Sequence, residues 1–115
     1  MKEDAQDTMD IVNKASYSSF EEVYNDYSGR LANAYKESAK QLKKEIEDGS
    51  DMNALTDSCT EMVKQLDAIA KEGTETISGM ASVNPGWTQD YSQYIQNLNN
   101  ENMAYKTQLN NMIMK

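Results

Sequence analysis

The chain has 115 residues with 19 acidic and 11 basic side chains, no histidine, one cysteine and one proline, for a formal net charge of −8. That length supports one domain with a real core and needs no disulfide or metal staple. Without histidine, Ser-His-Asp triads, Cys-His dyads and the commonest zinc and non-haem iron sites lack their central residue; the negative charge, with no basic stripe among aromatics, disfavours nucleic acid and anionic membranes as partners.

Residues 1–18 are polar and acidic, with Glu3, Asp4, Asp7 and Asp10 close together. Ala5, Met9 and Val12 stand at helical spacing, enough for one short helix that cannot stand alone. A polar N-terminal tether or short helix is therefore expected over 1–18, hinged at Lys14 to Ser18. Met1-Lys2-Glu3-Asp4 does not open a signal peptide, and the start reads either as a native beginning or, the preferred reading, as that of a trimmed mature chain behind an added methionine.

From residue 19 onward, apolar residues recur in steps of three and four over three segments. This spacing predicts an all-α fold, an elongated antiparallel three-helix bundle over 19–115 with helices at about 19–47, 51–82 and 85–113. The first stripe is Phe20, Tyr24, Tyr27, Leu31, Ala34 with Tyr35, Ser38, Leu42 and Ile46. Ser19 followed by Glu22 predicts a capping box, hydroxyl and carboxylate each satisfying a free backbone N–H. Lys40, Lys43 and Lys44 suit the negative end of the helix dipole, and Asp48-Gly49-Ser50 suits a left-handed stop.

The second stripe is Met52, Leu55, Cys59, Met62, Leu66, Ile69, Gly73, Ile77 and Met80, with Ser50 or Asp51 as N-cap. Because Ile77 and Met80 continue the face, the helix is expected to run through Gly73 despite the propensity cost of about 1 kcal/mol. The third stripe is Trp87, Tyr91, Tyr94, Leu98, Asn102, Tyr105, Leu109 and Met112, with Asn84 as cap and Pro85 at the first helical position. Asn97, Asn99, Asn100, Asn102, Asn110 and Asn111 are poor helix formers, so this helix depends on packing and should fray first. Pairing the stripes up, down and up puts Phe20 near Met80 and Trp87, Ile46 near Leu55 and Met112, and Tyr27 with Tyr94 opposite Gly73.

Reactive groups are few. Cys59 lies on a core stripe, expected to face Leu42 and Leu109; it reads as a small hydrophobe whose pKa Asp57 and Glu61 would raise. The acidic turn Glu47–Asp51 fails the spacing of a calcium loop, since counting back from Gly49 puts Lys44 first, and reads as helix capping. Glu21, Glu22, Asp57, Glu61, Asp67, Glu72 and Glu75 fall on outer faces and read as solvated surface. No catalytic residue, metal site or cofactor is expected. The amides Asn99 and Asn110, with Ile113 and Met114 as a small apolar patch, are the candidate partner-contact residues. Tyr24, Tyr27, Tyr35, Tyr91, Tyr94 and Tyr105 should place rings in the core and hydroxyls at its boundary.

The stretch Tyr17-Ser-Ser-Phe-Glu-Glu-Val-Tyr-Asn-Asp-Tyr-Ser28, with Leu66-Asp-Ala-Ile-Ala-Lys-Glu-Gly73, resembles uncharacterised small helical lipoproteins of Gram-positive bacteria. The resemblance touches about a fifth of the chain; it implies a cell-envelope or extracellular location, lipid-anchored upstream, and carries no activity. A second resemblance is to WXG100-type proteins exported by type VII systems, which are short, acidic and helical. Their Trp-x-Gly lies between two helices, whereas here Gly86 precedes Trp87, and Tyr17 to Glu21 fits Tyr-x-x-x-Glu at the opposite end. The expected function is a non-enzymatic envelope interaction or spacer module, monomer or weak dimer, with a protein partner and no membrane span in this chain. The alternatives are a WXG100-like exported protein and a small-ligand-binding bundle with a pocket beside Gly73.

Overall fold

The computed structural model describes residues 17–87 and 90–114. Within them are three α-helices and no strand: α1, Phe20–Glu47; α2, Met52–Val83; and α3, Tyr91–Ile113. Each packs against both others, and the molecule extends over 54 × 33 × 16 Å. Phe20 meets Trp87 edge-on at 4.8 Å and Tyr91 at 5.5 Å, Tyr24 meets Tyr94, and Tyr35 stacks on Tyr105 at 4.7 Å. Thus α1 and α3 run the same way, with α2 opposed between them, as Tyr27–Glu72 and Glu45–Ser58 hydrogen bonds require. Of the 1–18 segment, 1–16 lie outside the described residues.

Local chemistry sets the boundaries. Ser19 caps α1 by accepting the Glu22 N–H. The other half of the predicted box is displaced by one residue: Glu22 Oε1 accepts the Ser18 N–H at 2.8 Å and both carboxylate oxygens accept the Ser18 hydroxyl. Tyr17, donating to Asp26, packs on the core, so this end of the expected hinge is fastened to α1. At its other end α1 stops in a Schellman motif, Gly49 N–H to Ile46 C=O and Ser50 N–H to Glu45 C=O. Gly49 takes φ 85° there, a left-handed conformation that side chains resist. Asp51, accepting the Ala54 N–H, is the cap of α2.

α2 continues through Gly73, buried on the core face with Leu66, Ile77 and Met80. The predicted layer there is half right. A Cβ built on Gly73 would lie 2.9 Å from both Cβ and Cγ of Tyr27, but its second neighbour is Leu98, 3.0 Å away at Cδ1, while Tyr94 instead pairs with Tyr24.

The third helix starts at Tyr91, not at 85. Asn84 serves the preceding helix, being the C-cap of α2 with its side-chain amide donating to the Met80 carbonyl. Trp87 N–H donates to Asn84 C=O, closing a turn in which Pro85 supplies its fixed φ. Asp90 then caps α3, accepting from the Ser92 N–H and hydroxyl. Ile46 and Met52, expected in the core, are 39% and 56% exposed. In the register that stacks Tyr35 on Tyr105, they lie beyond the last turn of α3.

Candidate functional site

α3 turns Leu98, Asn102 and Leu109 into the core, flanked by half-buried Tyr94, Tyr105 and Met112. Its opposite face presents Gln96, Asn100, Met103, Thr107, Asn111 and Met114 to solvent. Among its exposed residues none is charged. Its two charged residues sit on the shoulders and are engaged with the other helices. Glu101 accepts the Tyr24 hydroxyl and, at 2.6 Å, the Ser28 hydroxyl of α1. Lys106 pairs with Asp67 of α2 at 2.9 Å.

The four expected contact residues divide. Asn99 is exposed and Met114 is 78% exposed. Asn110 is exposed too, but its Oδ1 accepts the Cys59 thiol at 3.1 Å, tying it to α2. Ile113 is half-buried against the core and does not join Met114 in an exposed patch.

Two carboxylates assigned to solvated surface, Glu72 and Asp67, are exposed as expected and also bond neighbouring helices. Glu72 accepts the Tyr27 hydroxyl at 2.7 Å and faces Arg30 Nη1 at 3.5 Å. Arg30, the one arginine of the chain, also bonds Asp26 through two nitrogens and lies 4.4 Å over the Tyr27 ring. Asp67 accepts from Lys106 and from Asn102 Nδ2, and these bonds hold its carboxyl below the usual range. Glu45, bonded by the Ser58 hydroxyl and the Gln41 amide, is lowered likewise. Asn102 Oδ1 is buried with no hydrogen-bond partner in the described structure, an uncompensated acceptor in the core. No periodic signal marks these bonds in the sequence, because each depends on which residue the neighbouring helix places opposite.

Cys59 is buried, and burial alone pushes its thiol up; Asp57 and Glu61 are not among the causes. A thiol so placed is a poor nucleophile. Among the described residues no group of three or more Cys, Asp or Glu side chains is placed to hold a metal ion, and no helix is long and apolar enough to cross a membrane. An open groove of about 470 Å³ runs between Ser38 and Gln41 of α1 and Ser58 and Met62 of α2. Comparison with known protein families, curated proteins and solved structures finds no match to the chain.

Proposed function

We propose that the protein is a non-enzymatic helical interaction module of the cell envelope and that its contact surface is the outer face of α3. The observation that carries this reading is the absence of charge among the exposed residues of that helix in a chain of net charge −8. Charged side chains are strongly hydrated and are depleted from the centres of protein interfaces. The outer faces of α1 and α2 carry them throughout, from Glu21 to Glu47 and from Asp57 to Glu75. The envelope location is supported by the resemblance of Tyr17–Ser28 to small helical lipoproteins.

The test is capture of a partner from surface extracts by the wild-type chain and by an Asn99→Lys, Asn100→Lys variant. Both positions are exposed and, unlike Asn110, neither bonds another helix. Loss of the partner from the variant is the expected result, and undiminished capture would move the contact elsewhere.

A further inference from the structure

We propose that the acidic N-terminal segment, residues 1–16, straps onto a stripe of lysines on the outer face of α1.

The stripe is the densest run of positive charge in the chain. Lys36, Lys40, Lys43 and Lys44 fall within nine residues of α1, and all four are exposed. Lys36, Lys40 and Lys43 follow in steps of four and three, so they share one side of the helix, and Lys44 widens the row. Leu31, Ser38 and Leu42, buried in the core, lie on the opposite side. Glu37 and Glu47 flank the row, yet among the described residues none of the four lysines makes an ion pair.

The segment carries the complementary pattern. It holds Glu3, Asp4, Asp7 and Asp10 against Lys2 and Lys14. Glu3, Asp7 and Asp10 are spaced by four and three, as are Lys36, Lys40 and Lys43. Run antiparallel to α1, the segment sets Asp10 against Lys36, Asp7 against Lys40 and Glu3 against Lys43, leaving Asp4 for Lys44.

The described structure delivers the segment to this side. The Tyr17 hydroxyl donates to Asp26, so the chain is already folded back along α1 where the segment ends. Asp26, Arg30, Asn33, Glu37, Lys40 and Lys44 succeed one another in steps of three and four, which puts that anchor and the lysines on one flank. Asp26 to Lys36 is about 15 Å along the helix. Residues 11–16, extended, span up to about 20 Å.

Tethering selects this occupant over an outside polyanion, which would meet a molecule acidic overall. A short linker presents the segment's carboxylates at an effective concentration on the order of millimolar. Single exposed ion pairs are weak and screened by salt, so the row holds the strap collectively and releases it as ionic strength rises. The strap lies on α1, clear of the α3 face, and stands independently of the function proposed above.

Zero-length carbodiimide coupling of the full chain, which joins carboxylates only to amines they touch, tests this when followed by peptide mapping. An equal mixture of unlabelled and isotope-labelled protein separates links within a chain from links between chains. Amide bonds from Glu3, Asp7 and Asp10 to Lys36, Lys40 and Lys43 are expected within single chains. Their yield should fall about fivefold or more at about 0.5 M salt, where the screening length is about 4 Å. Asp7→Asn, Asp10→Asn, altered outside the three helices, should shift the backbone amides of residues 36–44 in heteronuclear spectra and leave those of α3 in place. Links spread evenly over Lys36, Lys64, Lys71 and Lys106, links that join two chains, or no link from the segment overturn the proposal. Amides of residues 36–44 that the double variant leaves unmoved overturn it as well.

Discussion

Gly73 brings the backbone of α2 against the base of the Tyr27 side chain, and this contact separates it from the other helical glycines. Relief of a Cβ 2.9 Å from Tyr27 Cβ requires α1 and α2 to move apart, since that atom is fixed to the α1 backbone. Gly73→Ala should therefore lower stability by about 1–3 kcal/mol through overpacking, despite the better helix propensity of alanine. Gly29 and Gly79 have nothing within 4 Å of a built Cβ, so alanine at either should raise stability by about 0.5–1 kcal/mol. Thermal denaturation of the three variants reads both signs. The tyrosines give a second prediction. Burial chiefly, with the Asp26 bond, raises Tyr17 above the ordinary phenol value; the Glu101 bond and then burial raise Tyr24; burial raises Tyr27, reinforced by Glu72. The folded state thus holds these protons more tightly than the unfolded chain does. Their contribution to stability is complete below the unfolded phenol pKa of about 10 and is lost as pH rises through the folded values. Ultraviolet titration should show phenolate forming late in the native protein, and denaturant midpoints should fall above that pH. Midpoints flat through the alkaline range would show that the hydroxyl bonds contribute nothing.

The seams of α1 and α2 were legible because single residues repeat at helical spacing; Leu31, Leu42, Leu66 and Ile77, all on predicted stripes, are fully buried. The start of α3 was not legible, because Asn84 and Asp90 are both competent caps and Pro85 suits a turn as well as a first helical position. Only the packing of Trp87 on Phe20 and the Asn84 bond back to Met80 decide between them. The exposure of Asn99 and Asn110 was legible from their amides, but Ile113 and Met114 differ by one position at the end of a helix, and about 100° of rotation turns one toward the core and the other outward. The interhelix roles of Glu72 and Glu101 were illegible for a different reason, since an acid on a boundary position looks the same whether or not a phenol lies opposite. At this scale α3, rich in asparagine and with Asn102 Oδ1 unsatisfied, is the weakest element. Native-state hydrogen exchange should be faster for its backbone amides than for those of α2. Equal protection in the two helices would mean that packing against Tyr24, Tyr35 and Asp67 fully offsets the poor propensity.

For the whole molecule, the polar side chains of boundary positions are turned toward neighbouring helices, while α1 and α2 wear their charge outward and α3 does not. The Tyr27–Glu72–Arg30–Asp26 network closes one flank, and Asp67 with Asn102 and Lys106 closes another. An asymmetric distribution of this kind gives an otherwise charged rod one neutral face on which another molecule can sit without desolvating ions. The most direct measurement is a set of heteronuclear amide spectra recorded as the partner captured from surface extracts is added, in which the side-chain amides of Gln96, Asn100 and Asn111 report the face residue by residue. Shifts confined to those amides and to the backbone around Met103 and Thr107 are expected as the partner is added. Shifts spread over the charged faces of α1 and α2, or spectra that the partner leaves unchanged, would contradict an interaction surface built on α3.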